Sequence, residues 1–178
     1  MSTATIQIPT GTWAIDASHT EVGFVARHLM VSKVRGTFRE VSGTVDVAED
    51  ITRSSVEVAA QIASVETGSA DRDTHLKSAD FFDAEQFPAM TFRSTSFDGQ
   101  TLAGDLTIKD VTKPVTFDVE FGGVGQDPWG NTKAGFEATT TVTRKDWGLT
   151  WNAAVEGGGV LVSDKITINI DVQLAKQA

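Results

Sequence analysis

Three histidines, His19, His28 and His75, and one arginine on an apolar parity, Arg144, are the side chains of this 178-residue chain placed to do chemistry. Imidazoles bind metals or move protons near neutral pH. A metal needs its ligands gathered within bonding distance. His19 and His28 are nine residues apart, so a continuous strand separates them by roughly 30 Å. They also fall on opposite parities, with His28 on the apolar one. His75 has no second histidine at helical spacing. Structural or surface roles are expected for all three, and no metal. His28 stands out because a buried imidazole needs a hydrogen-bond partner.

Other motifs fail on their own terms. Asp71, Asp73 and His75 superficially resemble a calcium loop, but Leu76 stands where glycine belongs and Phe82 where a bidentate glutamate belongs. In Gly123-Val-Gly125-Gln-Asp-Pro128 a proline replaces the third glycine of a dinucleotide fingerprint. Gly157-Gly158-Gly159 lacks the following Lys-Ser/Thr of a phosphate loop, and there is no Gly-x-Ser-x-Gly elbow. Acid–base catalysis needs carboxylates facing a pocket. Asp46, Asp105, Asp118, Glu120, Glu137 and Asp171 all take the polar parity of their strands, as solvated faces do. Arg144 is in step with Phe136, Ala138 and Val142. A lone buried charge is costly, so Arg144 reads either as half of a structural ion pair or as a polar anchor for a ligand head group. No cofactor is expected.

The elements that position these residues have a period of two. Val22, Phe24, Ala26 and His28 share a face, continued by Val34, Gly36 and Phe38. After Glu40 the apolar set moves to Val41, Gly43, Val45 and Val47, a phase slip that marks a bulge or a break between strands. Val56, Val58, Ala60 and Ile62 form the next stripe. Met90 and Phe92, then Leu102, Leu106 and Ile108, then Val115, Phe117, Val119 and Phe121 follow. Ala134, Phe136, Ala138 and Val142, then Ile166 to Leu174, close the series. Half-apolar strands separated by turns, such as Asp98-Gly99 and Asp127 to Asn131, predict an all-β sandwich or barrel. Gly36, Gly43, Gly104, Ala26, Ala60, Ala134 and Ala138 sit on the apolar faces, where small residues leave space or accommodate barrel taper. The polar stretch from Gly68 to Pro88 predicts a short helix near residues 69–80, capped by Ser69 or Asp71. Phe81, Phe82 and Phe87 behind it plug a barrel end or wall a cavity.

Length suits one domain over residues 1–178 with its own core. Net charge is −9, which repels phosphate backbones and anionic surfaces, so no nucleic-acid partner is expected. Without cysteine there are no disulfides, thiolate metal sites or cysteine nucleophiles. No run approaches the ~20 apolar residues of a transmembrane segment. The first ten residues lack a basic region and an apolar core, so they do not read as a secretory signal, and a cytoplasmic location is expected.

Several motifs in series carry a resemblance. Trp13-Ala-Ile-Asp16, Ser18-His19, Val22-Gly-Phe24, His28 and Val34-Arg-Gly36-Thr-Phe38 come first. Arg72-Asp73-x-His75-Leu76-Lys-Ser78-x-Asp80-Phe81-Phe82-Asp83 and Phe87-Pro88-x-Met90-x-Phe92-x-Ser94 follow. Leu106-Thr-Ile108 with Thr112-Lys-Pro114-Val115, and Arg144-x-Asp146-x-Gly148, complete the set. From about residue 13 to 172 the chain resembles the YceI-like, or polyisoprenoid-binding, proteins. Gly11-Thr-Trp13 is similar to a lipocalin opening. The resemblance implies an extended, antiparallel, lipocalin-like β-barrel of about eight strands that binds a long isoprenoid or similar amphiphilic lipid. Many members carry a leader, which this chain does not show. Asp110 stands where the family often has glycine, and Trp147 where it often has phenylalanine.

The expected function is therefore a non-enzymatic carrier that sequesters one apolar lipid, its polyisoprenoid or similar ligand being the main partner. The assembly state is left open, a homodimer included. The lining is expected from Phe24, Phe38, Val58, Ile62, Leu76 and Phe82, with Met90, Phe92, Leu106, Phe117, Phe136 and Trp151. His28 and Arg144 would meet a head group. Two alternatives stand beside it. One is a filled barrel with a structural or stress-related interaction role. The other is an enzyme on an apolar substrate that pairs His28 with Arg144.

Overall fold

In this computed structural model the described residues are 6–29, 31–152 and 162–177. The triple glycine at 157–159 lies outside them. The first three courses of chain are each broken once. They are β1 (Gly11–Ile15) with β2 (Glu21–His28), β3 (Ser32–Phe38) with β4 (Val41–Val47), and β5 (Ser55–Gln61) with β6 (Val65–Glu66). Then come α1 (Ala70–Lys77), β7 (Ala89–Phe97), β8 (Thr101–Ile108), β9 (Val111–Gln126), β10 (Thr132–Thr143) and β11 (Lys165–Lys176).

Each broken pair acts as one long strand. β2 pairs with β3 and β1 with β4, so Gly11 meets Val47 at one end and His28 meets Ser32 at the other. β11 pairs with β10 along its whole length. Its other edge takes β2 over Thr167–Asp171 and β1 over Leu174–Lys176. The sheet thus closes into an eight-stranded, antiparallel, up-and-down barrel. The expected slip after Glu40 is the β3–β4 break.

The turns follow their chemistry. Lys109 and Asp110 both have positive φ, 52° and 63°, and join β8 to β9 as a two-residue hairpin. Asp tolerates the left-handed region, so the departure at Asp110 keeps a tight turn. Asp98 accepts from the Gln100 and Thr101 amides at 2.8 and 2.6 Å and shapes the β7–β8 turn. Ser69, not Asp71, caps α1 by accepting from the Arg72 amide.

The two barrel ends differ. One end carries the β2–β3 turn, α1 with the segment to Pro88, the β8–β9 turn and the connection after Arg144. The other holds the N-terminal segment and the tips at 98–100 and 127–131. There Trp13, fully buried, packs with Val47, Ala134 and Leu174 and donates its indole N–H to the Pro9 carbonyl at 3.0 Å.

The inward glycines need correcting. A Cβ on Gly36 would strike the Phe24 ring, and one on Gly104 would strike the Phe92 ring. The expected empty space at these two positions is filled by an aromatic ring lying over the glycine. Among the described residues no helix is long and apolar enough to cross a membrane.

Candidate ligand-binding cavity

Alternation along eight closed strands sends every second side chain inward, and those side chains do not fill the barrel. Two apolar cavities lie in line. The larger, about 490 Å³, sits at the α1 end. The smaller, about 170 Å³, sits toward the Trp13 end. Val22 and Met90 line both and form the junction. Many inward apolar residues, Phe24, Val58, Phe92 and Ile168 among them, are only half-buried, because they border space and not neighbours.

The expected lining residues separate between the compartments. Phe24, Phe38, Leu76, Phe82 and Trp151, with His28 and Arg144, line the larger cavity. Val58, Phe92, Leu106, Phe117 and Phe136 line the smaller, and Met90 belongs to both. Ile62 lines neither. β5 ends at Gln61, and the chain turns through a 3-10 helix over Ile62–Ser64. That turn buries Ile62 in the wall against Val41 and Val65, so the stripe from Val56 stops at Ala60.

Arg144 is 5% exposed and belongs to a 3-10 turn after β10. Its guanidinium donates to the carbonyls of Leu149 (2.6 Å), Trp151 (2.9 Å), Ser163 (2.9 Å) and Val162 (3.4 Å). Asp164 is 3.8 Å away and half exposed. The expected ion pair is thus secondary. Arg144 organises backbone on both sides of the β10–β11 connection. Burial pushes its pKa down, and the Asp164 charge pushes it back up. Trp147, beside it, is buried and donates its indole N–H to the Leu106 carbonyl at 2.9 Å.

The larger cavity opens between α1 and the β2–β3 hairpin, where exposed Arg27, Asp71 and Arg72 join its lining. His75 points from α1 into a ring stack, 4.6 Å from Trp151 and 5.0 Å from Phe81, while its Nε2 lies 2.9 Å from Asp80. Phe81 and Phe82 therefore both plug the end and wall the cavity. Ser69, Asp71, Arg72 and His75 were not among the residues expected at the site. The helical spacing of Arg72, His75 and Leu76 is the signal that places them on one face. His28 is half-buried, and its side chain has no hydrogen bond or ion pair among the described residues.

The remaining histidine is structural. His19 Nδ1 lies 3.0 Å from Asp16, at the β1–β2 break. Asp16 also accepts from Lys133 Nζ at 2.8 Å and from the Ser18 hydroxyl at 2.8 Å. The Lys133 hydrogen bond first, then those of Ser18 and His19, hold the Asp16 carboxyl well below the usual range. Among the described residues, no three His, Asp or Glu side chains are grouped to hold a metal ion.

A closed antiparallel barrel with an apolar lumen and a polar-rimmed mouth defines a class of internal-cavity barrels. The YceI-like domain model matches residues 13–174, and the chain belongs to the YceI-like family. A UPF0312 protein of Staphylococcus aureus (strain N315) is 37% identical over 167 residues, 92% of this chain and 96% of that relative. A Campylobacter jejuni YCEI protein of known crystal structure is 34% identical and superposes with a TM-score of 0.71, covering 92% of this chain and 96% of that one. BcnA of Burkholderia cenocepacia gives 0.76 at 21% identity (89% and 98% covered) and so shares the fold. A polyisoprenoid binding domain from Saccharophagus degradans gives 0.72 at 12% identity (93% and 98% covered), again a likeness of fold.

Proposed function

We propose that this chain binds one long isoprenoid or similar amphiphilic lipid inside the barrel and sequesters or carries it without catalysis, acting as one domain. The observation that carries the reading is the in-line pair of apolar cavities joined at Val22 and Met90. A single linear chain can lie through both, whereas a compact ligand fits one. Together they fall within the size range of small-molecule sites. The described polyisoprenoid binding of the Saccharophagus domain, on the same fold, supports the choice of ligand.

In this reading Phe24, Phe38, Leu76, Phe82 and Trp151 hold the proximal part of the chain. Val58, Phe92, Leu106, Phe117 and Phe136 hold its far end. His28 offers a hydrogen bond to the head group, and Arg144 holds the mouth in shape. The unfilled volume of the lumen, about 490 and 170 Å³ in the two compartments, argues against the filled-barrel alternative, because that alternative needs no space. An enzyme pairing His28 with Arg144 is disfavoured, since the guanidinium is taken up by four carbonyls.

Thermal denaturation with added polyprenol tests the proposal. A ligand at a hundred times its Kd stabilises by about 2.7 kcal/mol, so Tm rises with concentration. No rise with any polyprenyl lipid overturns the reading.

A further inference from the structure

We propose that the β2–β3 hairpin tip docks this protein on an anionic lipid bilayer, with Leu29 and Val31 entering the interface and Arg27, Lys33 and Arg35 facing the headgroups. Val31 is 82% exposed and Leu29 43% exposed. Leu29 also holds a left-handed φ of 55°, a conformation that favours glycine or asparagine and gains nothing from an apolar side chain. The hairpin projects. β11 pairs with β2 only as far as Val25, and β6 meets β3 only at Thr37 and Phe38. Beyond those points, among the described residues, the tip is held to the barrel by the bridge from His28 to Val162 and by Arg27, whose carbonyl accepts from the Ser163 amide at 3.0 Å and whose amide donates to the Ser163 hydroxyl at 2.9 Å.

The charge around the tip runs against the molecule. Net charge is −9, yet Arg27, Lys33 and Arg35 share the outer face of this hairpin, all exposed. Arg27 lies directly across from Lys33. None of the three side chains has an ion pair among the described residues. The acids of the same outer face, Glu21 with its neighbour Asp171 and Glu66 across from Thr37, border the groove at Arg35 and lie about six to eight residues down the strands, roughly 20–26 Å from the tip. Across the mouth α1 carries Asp71 and Asp73, which turns the hairpin side, not the helix side, toward an anionic surface. Cations on an edge strand also discourage edge-to-edge pairing. That role explains Lys33 and Arg35, but neither Arg27 on the inner neighbour nor an apolar tip. An apolar tip ringed by unpaired cations suits a headgroup–acyl boundary. The cavity mouth, lined by His28 and Arg27, then faces the bilayer.

Flotation of the full chain with vesicles tests this. Phosphatidylcholine mixed with phosphatidylglycerol is compared with phosphatidylcholine alone. Attachment to the anionic vesicles is expected, weaker by about tenfold or more on the neutral ones and in ~1 M salt, where screening acts within about 3 Å. The pair Leu29→Asn and Val31→Ser, and separately the set R27E, K33E and R35E, should each lower attachment at least about tenfold. These are exposed positions, and Asn suits the Leu29 conformation, so unchanged Tm verifies folding. Absence of attachment to anionic vesicles overturns the proposal, as does attachment that neither variant set alters. Self-association through the tip without vesicle binding, seen by sedimentation, also overturns it. Polyprenol stabilisation measured on the same proteins keeps the carrier reading separate. Vesicle attachment without that stabilisation supports docking and counts against the carrier alone.

Discussion

A guanidinium with 5% of its surface exposed must be met on every side, and Arg144 is met by four backbone carbonyls. Removing it leaves those acceptors buried and unpaired, at ~1–3 kcal/mol each where water cannot follow. Arg144→Met should lower the unfolding free energy by about 3 kcal/mol or more in urea titration. Arg144→Lys should restore little, because one ammonium cannot reach the same fan of acceptors. The glycine–phenylalanine pairs make a second prediction. Gly36→Ala should cost ~1–3 kcal/mol by overpacking, and Phe24→Leu should relieve most of that cost in a double-mutant cycle. Asp16 sets a pH dependence. Its carboxyl is held low when folded, against ~3.9 when unfolded. Protons therefore favour the unfolded state. The contribution is intact above about pH 4 and is lost as pH falls toward the depressed folded value. Lys133→Met removes the largest cause, so its stability should fall less steeply below about pH 4 than that of the parent, as read by acid titration of circular dichroism.

Among elements, α1 is the piece that would govern entry under the proposed function. Thr67 donates its amide to Asp73 at 2.9 Å, and Arg72 donates to the Thr67 carbonyl at 2.7 Å, which ties the helix to the end of β6. The helix carries His75 and Leu76 over the larger cavity. Asp73→Ala should loosen that tie and speed release of a fluorescent polyene lipid several-fold in stopped-flow displacement, with the barrel otherwise intact. Much of the strand layout was readable from parity alone. The even set from Val22 to Phe38, the slip after Glu40 and the turn at Asp98-Gly99 all appear as expected. Periodicity is a local signal, so it could not show that the broken strands continue one another, or that β11 closes on both β1 and β2. It also could not show that Gly36 is small because a ring from the next strand covers it, nor that Arg144's partners lie on the far side of a long connection. Those facts depend on pairing between distant residues. Ile62 failed for a related reason, since alternation does not announce where a strand stops.

At the scale of the whole molecule, the proposed carrier function makes cavity length the property that would select a ligand. Val22 and Met90 stand where the two compartments meet. Val22→Phe should close that passage, leaving the larger cavity open and shortening the chains that stabilise the protein. A series of prenols of increasing length, followed by Tm, would show the cut-off move to shorter members. The central claim is that one apolar chain occupies the barrel. Mass spectrometry under native conditions, followed by organic extraction of protein purified from its own host, tests it most directly. A single bound isoprenoid or similar amphiphilic lipid per chain, absent from the Val22→Phe protein when the chain is long, is the predicted result. An apo mass alone, with no lipid in the extract, would contradict it.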